Sequence, residues 1–362
     1  MLDLNATIAN LLDDLGEVQA SKQSQMGYRR AAHAILLLEQ PVSALVQADG
    51  SLPKIPNVGP KSLRVVEEVL ASGGSVTVED AVQVSGKVDA IEKRRAARVN
   101  FLSRANVMAA LADPTLTEPT IADYRGDLQM HSEWSDGRLS VAAMARACLD
   151  RGYQYAAVTD HSHGLRIAGG ISPEELGRQR EQIDRVNEEL GDRFCLLAGV
   201  EANIAPDGTL DLTTEELRAL DLVVAAPHAG LRLPEDQTAR MVAAVGTQGV
   251  HILGHPRGRQ RSTRRGIVAD WDRVFQAAAE HNVAVEIDGD PSRQDLDFEM
   301  ARRAHEAGCL LALDSDAHMA EELGYVDIAI AHARLAGVPA ERIINCWPLG
   351  KLLDWLADRP GP

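Results

Sequence analysis

The chain is predicted to be an α/β protein, a barrel of seven β/α units preceded by a small all-α domain. Three observations predict this. From Tyr124 onward seven short apolar runs alternate with segments of helical length, residues 4–110 carry helical periodicity without a convincing strand, and Asp113-Pro114-Thr115-Leu116-Thr117-Glu118-Pro119 has the composition of a linker. The expected division is 1–110 helical, 111–123 linker and 124–362 barrel. A chain of 362 residues is also too long for one small core and suits a larger domain joined to a smaller one.

In the first part, apolar residues recur at helical spacing at Ile8, Leu11, Leu12 and Leu15, and again at Ala31, Ala32, Ile35 and Leu36. Leu52-Pro53-Lys54-Ile55-Pro56-Asn57-Val58-Gly59-Pro60-Lys61 reads as a tight turn. Ser62 is placed to start the next helix, which carries Leu63, Val66 and Val69 and stops at Ser72-Gly73-Gly74. Lys93-Arg94-Arg95-Ala96-Ala97-Arg98 is a basic stretch. The seven apolar runs are 126–131, 155–160, 194–201, 221–228, 250–255, 283–288 and 309–316. Helices are expected over 141–151, 173–190, 237–248, 271–281 and 297–307. Strands alternating with helices imply a parallel sheet, and seven units imply a closed or nearly closed barrel.

The balance of 45% hydrophobic and 25% charged residues excludes disordered and fibrous classes. No apolar run approaches the ~20 residues of a membrane span. The opening MLDLNATIAN lacks the basic flank and apolar stretch of a signal peptide, so a cytoplasmic location without membrane contact is expected. Cys148, Cys195, Cys309 and Cys346 lie far apart, which argues against a zinc knuckle and against a disulfide framework. Residues 1–110 carry twelve Lys+Arg and twelve Asp+Glu, so the whole formal charge of −16 belongs to the remainder. Part of that acidity is solvated surface, but a site for several dications also needs a negative surround.

Six of the seven runs end in residue types that bind metals. In order they deliver Gln129 and His131, then His161, Glu201, His228, His255, and Asp316 with His318, while Asp136 follows in the turn Ser135-Asp136-Gly137. Residues i and i+2 of a strand share a face, so Gln129/His131 and Asp316/His318 can each aim two groups into one pocket. The C-terminal rim of a parallel barrel is where active sites sit. One histidine at a strand end is ordinarily a hydrogen-bonded rim residue, but five histidines and three carboxylates at successive strand ends are not explained that way. Imidazole and carboxylate without thiolate suit Zn²⁺, Mn²⁺ or Fe²⁺, and nine candidate groups exceed what one ion uses. Close dications are the usual apparatus for hydrolysing phosphate esters, with an amide or other hydrolase as the alternative.

Six segments together resemble a polymerase-and-histidinol-phosphatase (PHP) domain. They are Gly126-Asp127-Leu128-Gln129-Met130-His131-Ser132-Glu133-Trp134-Ser135-Asp136-Gly137, Thr159-Asp160-His161-Ser162, Gly199-Val200-Glu201, Ala226-Pro227-His228, Gly254-His255-Pro256 and Asp314-Ser315-Asp316-Ala317-His318. The resemblance is greatest to the PHP domain of bacterial family X DNA polymerases, partly through Val285-Glu286-Ile287-Asp288 and Arg293-Gln294-Asp295-Leu296-Asp297. It implies a distorted (β/α)7 barrel with two or three Zn²⁺ or Mn²⁺ ions. By the same resemblance His131, Gln129, Glu201 and Asp316 would hold one ion, Glu201, His228 and His255 a second, and Asp136, His161 and His318 a third. Catalysis would rest on His131, Glu201, His228 and Asp316. The family's usual opening is His-x-His; Gln129 offers a neutral amide oxygen, a weaker and harder donor that favours Mn²⁺ over Zn²⁺.

Arg166, Arg257, Arg259 and Arg293 are candidates to clamp a substrate phosphate, a task suited to bidentate guanidinium groups. Arg261, Arg264 and Arg265 read equally as a solvated loop, and His163 is a candidate substrate contact. His33, His251, His281, His305 and His332 are read as structural or exposed. The N-terminal segment resembles the small helical domain of family X polymerases through Tyr28-Arg29-Arg30-Ala31-Ala32 and the hairpin Ile55-Pro56-Asn57-Val58-Gly59-Pro60-Lys61. A helix-hairpin-helix offers backbone N–H groups to DNA phosphates, which nominates Asn57, Gly59, Lys61 and Arg64 as DNA contacts. Asn57 stands where glycine is usual, and Val65 falls where lyase members carry their Schiff-base lysine, so lyase activity is not expected.

The short linker leaves no room for a polymerase palm. The expectation is a metal-dependent phosphoesterase, acting on DNA ends as a 3′-5′ exonuclease or 3′-end phosphatase. The alternatives are a small-molecule phosphatase of the histidinol-phosphate type and a DNA-binding adaptor with a weakly active barrel. The sequence does not specify protein partners.

Overall fold

A computed structural model describes residues 3–358. Its contacts divide the chain into two units, Met1–Asp113 with Arg261–Arg264, and Pro114–Gln260 with Arg265–Pro362.

The first unit is all helical: α1 (Leu4–Glu17), α2 (Lys22–Leu36), α3 (Pro60–Ser72), α4 (Val76–Ser85), α5 (Val88–Ala96) and α6 (Arg104–Ala112). Ile8, Leu12, Ala31, Ala32, Ile35, Val65, Val66 and Val69 meet in one core, as their helical spacing predicts. Helix α3 begins at Pro60, two residues before the expected start at Ser62, with Gly59 as N-cap. Proline suits that first position because its missing N–H would have had no partner inside the helix. The three arginines of the basic stretch 93–98 form ion pairs inside this unit. Arg94 pairs with Glu17 at 3.5 Å, Arg95 with Asp14 at 2.7 Å and Glu79 at 2.6 Å, and Arg98 with Asp14 at 2.6 Å.

The second unit alternates β1 (Gly126–Met130), α7 (Val141–Asp150), β2 (Tyr155–Val158), α8 (Pro173–Leu190), β3 (Cys195–Asn203), α9 (Thr214–Arg218), β4 (Leu222–Ala226), α10 (Thr238–Val245), β5 (Ile252–Leu253), α11 (Trp271–Glu280), β6 (Ala284–Asp288), α12 (Phe298–Glu306) and β7 (Leu311–Asp314), then α13 (Val326–Ala336) and α14 (Leu349–Ala357). The strands pair in parallel in the order β1 to β7, which is the expected barrel.

Two features distort it. The N-terminal half of the long β3 pairs with β2 (Cys195–Ala198), and its C-terminal half pairs with β4 (Gly199–Asn203), so the register steps along the barrel axis. Between β1 and β7 much of the closure runs through side chains. The Leu128 N–H donates to Asp314 Oδ1 at 2.8 Å and the Ser315 N–H to Asp127 Oδ1 at 3.3 Å, with a backbone bond only farther along, from His131 N–H to Ala317 O at 2.8 Å.

Residues near the starts of the strands, including Tyr155, Leu222 and Ala284, pack with Ile344, Trp347, Leu352 and Leu356. The Tyr155 hydroxyl reaches the carbonyls of Asn345 (3.0 Å) and Trp347 (2.9 Å). The C-terminal segment thus fills one end of the barrel and leaves polar groups to the other. Helices α13 and α14 have no counterpart among the sequence expectations; α13 is buried on nearly every face and so shows no amphipathic stripe.

Candidate metal centre

Strand β1 contains a bulge: Asp127 lies opposite Ala156 and Met130 opposite Val158, three steps against two. Leu128 and Gln129 therefore both face inward opposite Ala157, the first into the apolar core and the second toward the strand ends. Beyond the bulge His131 is fully buried. On β3 the inward parity of Leu197 and Gly199 carries Glu201 to the same end.

Glu201 is the hub. Its Oε1 lies 2.8 Å from His255 Nε2 and 3.1 Å from His228 Nε2, and its Oε2 lies 3.0 Å from His161 Nδ1 and 3.4 Å from His131 Nε2. Asp316 Oδ1 is 3.0 Å from His131 Nε2. Asp136, in the exposed turn, is 3.3 Å from His318 Nε2, 3.6 Å from His161 Nε2 and 3.9 Å from His131 Nδ1. Gly137 permits that turn, because a Cβ there would sit 2.6 Å from the backbone of His131. Asp316 has φ 53° and His255 φ 21°, a region that costs a non-glycine residue on the order of 1–3 kcal/mol.

Three overlapping groups result: His131, Asp136, His161 and His318; His161, Glu201 and His228; and His131, Glu201 and Asp316. The resemblance implies His255 beside Glu201 and His228. The structure sets both His228 and His255 against Oε1 of Glu201, and the His161–Glu201 bridge at the end of β2 brings His161 to Oε2 of the same carboxylate.

The donor set suits cations. Both amide atoms of Gln129, His131 Nδ1, His161 Nδ1, His228 Nε2, His255 Nδ1 and Glu201 Oε2 are buried with no hydrogen-bond partner among the described residues. His161 Nδ1 and Glu201 Oε2 are close enough to bond but not aligned to do so, as expected when both aim at a common third point. The buried polar groups at this end would be costly without such a partner.

The titration behaviour points the same way. Burial pushes the Glu201 carboxyl up, but His161 and His228 outweigh it and hold the group well below its usual value. Burial favours neutral His318, yet Asp136 and Asp316 overcome it and raise the imidazole to about 9. Burial likewise opposes charge on His161, and Glu201 and Asp136 reverse the balance upward. His228 moves down because burial prevails over Glu201. Deeper in the barrel, burial and neighbouring carboxylates raise Glu286 and Asp288 well above normal, and burial together with Asp314 raises Asp127 to about 8. Such crowding of carboxylates calls for positive charge.

Sequence reasoning missed two groups that position these side chains. Buried Asp160 accepts from Ser132 N–H (2.9 Å), Ser135 N–H (3.2 Å), both serine hydroxyls and Gln179 Nε2, and so shapes the loop between His131 and Asp136. Asn203 Oδ1 meets His228 Nδ1 at 3.2 Å. The available signal was position alone: each lies within two residues of a candidate ligand.

The four arginines separate. Arg293 faces Asp316 at 3.5 Å and Asp288 at 3.7 Å, beside the centre. Arg166 is exposed on a turn shortly after His161. Arg257 and Arg259 both pair with Asp297, at 2.9 and 2.6 Å, and Arg259 is buried. His163 is exposed, His33 and His281 are exposed, and His251 and His332 are buried with hydrogen bonds through both ring nitrogens.

In the helical unit Asn57, Gly59 and Lys61 line a cavity of about 540 Å³ with Tyr28 and Ser62. Asn57 has φ 64°, which explains why glycine suits this position and why asparagine, tolerant of that region, can replace it. Arg64 is exposed and pairs with Glu68 at 3.1 Å. Val65 is fully buried in the core, where a reactive lysine has no place.

A parallel barrel with this constellation at its strand ends defines a hydrolase acting on phosphate esters, and relatives carry the same class. The chain is 32% identical over 246 residues to a probable phosphatase of Enterobacter, covering 64% of this chain and 94% of that protein. It is 30% identical over 249 residues to the probable phosphatase YcdX of Escherichia coli, covering 65% and 95%. It is 38% identical over 226 residues to the DNA polymerase/3′-5′ exonuclease PolX of Bacillus subtilis, covering 62% of this chain but 40% of that enzyme's length. A histidinol phosphate phosphatase from Lactococcus lactis, solved with zinc, L-histidinol and phosphate, aligns with a TM-score of 0.42 at 15% identity over 57% of this chain and 92% of that one, too remote to transfer a ligand. No family model matches the sequence. The chain belongs to the polymerase-and-histidinol-phosphatase family. Among the described residues no helix is long and apolar enough to cross a membrane.

Proposed function

We propose that the chain is a cytoplasmic, metal-dependent 3′-5′ exonuclease or 3′-end phosphatase acting on DNA ends. The observation that carries the catalytic part is the sharing of His131, His161 and Glu201 among three adjoining ligand groups, which suits two or three neighbouring ions and exceeds the needs of one. His131, Glu201, Asp316 and Gln129 would hold one, Glu201, His161 and His228 with His255 a second, and Asp136, His161, His318 and His131 a third. Zn²⁺ or Mn²⁺ in these positions would neutralise phosphoryl charge and acidify water.

The chain's own residues bind and orient. Arg293, one-quarter exposed at its side chain, can hold a phosphate oxygen beside Asp316. His318 donates from Nδ1 to the Asp316 carbonyl at 2.8 Å, which leaves the lone pair on Nε2, the nitrogen that faces Asp136 at 3.3 Å. Arg166 is the exposed cation near the end of β2. The DNA part of the reading is supported by the hairpin with Asn57, Gly59, Lys61 and Arg64, and by the likeness to PolX.

A second reading, a small-molecule phosphatase, is favoured by one fact: the probable phosphatases align over nearly their whole lengths with about two-thirds of this chain, which leaves the helical unit without a required part. The test is turnover of a labelled DNA strand beside histidinol phosphate, with Mn²⁺ and with Zn²⁺, and His228→Ala as control. Release of nucleotides or of a 3′-phosphate, lost in the variant, supports DNA-end processing. Turnover of the small ester alone selects the second reading. Salt-sensitive DNA binding without turnover would make the protein a DNA-binding adaptor, and Lys61→Ala should then weaken binding and lower the salt slope by about one.

A further inference from the structure

We infer that Asn203 is a positioning residue that fixes the tautomer of His228, and that Asp211 holds Asn203 in place. Neither is among the candidate ligands, yet together they would determine how well the group His161, Glu201 and His228 takes an ion. The inference rests on reading that group as a metal site.

Asn203 ends β3 two residues beyond Glu201, so strand parity sends both side chains to the same side. Its Oδ1 lies 3.2 Å from His228 Nδ1. A carboxamide oxygen only accepts, so Nδ1 must carry the proton. The lone pair is then left on Nε2, the buried nitrogen without a hydrogen bond that lies 3.1 Å from Glu201 Oε1. Turned the other way, the amide NH₂ would draw the lone pair to Nδ1 and put the proton where an ion would sit. An outer partner that sets the tautomer of a ligating histidine typically changes metal affinity by about 10–100-fold.

Asn203 is itself anchored. Its N–H donates to Asp211 Oδ1 at 3.0 Å and faces Ser162 Oγ at 3.2 Å. Ser162 Oγ lies 2.8 and 2.7 Å from the two oxygens of Asp211, and the Ser162 N–H donates to Glu201 O at 3.0 Å. The Gly164 N–H donates to Asp211 Oδ2 at 2.7 Å, and a Cβ on Gly164 would lie only 2.1 Å from that oxygen. One carboxylate therefore ties the residue after His161 to the residue that orients His228, with Glu201 between them.

The test uses the full-length chain freed of metal by a chelator. Mn²⁺ and Zn²⁺ are titrated by calorimetry, and the histidine tautomers are read by nitrogen-15 NMR. Asn203→Leu should weaken one ion by about 10–100-fold and give His228 a mixture of tautomers, while Asn203→Asp, which keeps an acceptor, should retain binding. Gly164→Ala displaces Asp211 without touching Asn203 and should weaken the same ion; it decides the matter if Asn203→Leu does not fold. Wild-type protein that takes up neither metal would remove the underlying reading of the site. Wild-type protein that binds normally beside variants with unchanged affinity and tautomer would overturn the role of Asn203.

Discussion

Replacing Asp160 by alanine is the sharpest test of how the centre is built. The carboxylate has no place among the three ligand groups, yet it gathers five donors: the N–H and hydroxyl of Ser132, the N–H and hydroxyl of Ser135, and the Gln179 amide. The hydroxyls can rotate to other partners, but the backbone N–H groups cannot. The Ser135 N–H keeps a second acceptor, the Ser132 carbonyl at 3.2 Å, so the buried Ser132 N–H alone is left unsatisfied and the predicted loss is about 1–3 kcal/mol. Typical stabilities of about 5–15 kcal/mol leave the variant folded under mild conditions. Asp160→Asn keeps an oxygen for the two N–H groups, and Gln179 can turn its amide to match, so its cost should be about 1 kcal/mol. Urea unfolding of the three proteins gives the energies, and metal titration reads the loop, since Asp136 should lose its place among the imidazoles in the alanine variant. An Asp160→Ala protein destabilised by less than about 1 kcal/mol, with unchanged metal uptake, would refute this account of the loop.

Three other outcomes are expected. Glu201→Gln should lower phosphatase kcat by at least about 100-fold and reduce the number of ions measured by elemental analysis, because two ligand groups share that carboxylate. Asp297→Ala should cost about 3–5 kcal/mol in urea unfolding, since buried Arg259 loses its charged partner; an unchanged midpoint would contradict the pairing. His332 is held neutral, its imidazole lowered to about 3 by burial, so below about pH 6.5 the unfolded chain binds a proton that the folded one does not. Its contribution is complete above that pH and falls by about 1.4 kcal/mol per unit as pH drops toward 3; His332→Asn should flatten this part of the stability curve, and equal slopes in both proteins would count against it.

The seven strands were legible because each apolar run is bounded by turn residues and ends in a polar group, and all seven appear within a few residues of their expected limits. Five flanking helices were legible through their apolar stripes. Helix α13 was not, since burial on nearly every face leaves no stripe to find, and α14 became meaningful only as packing against the strand starts.

For the centre, sequence alone determined which residue types stand at the strand ends, because parity along a strand is a local property. It could not determine how those residues group. The bulge in β1 turns Leu128 and Gln129 inward together, and the stepped register of β3 places His161 beside Glu201. It also could not separate Arg293, beside Asp316, from Arg257 and Arg259, which pair with Asp297. Nor could it single out Asp160, Asn203 and Asp211, ordinary polar residues whose roles come from partners 8–49 positions away in the chain. Ligand identity is written along one strand at a time; ligand grouping depends on register between strands, which only the closed barrel sets.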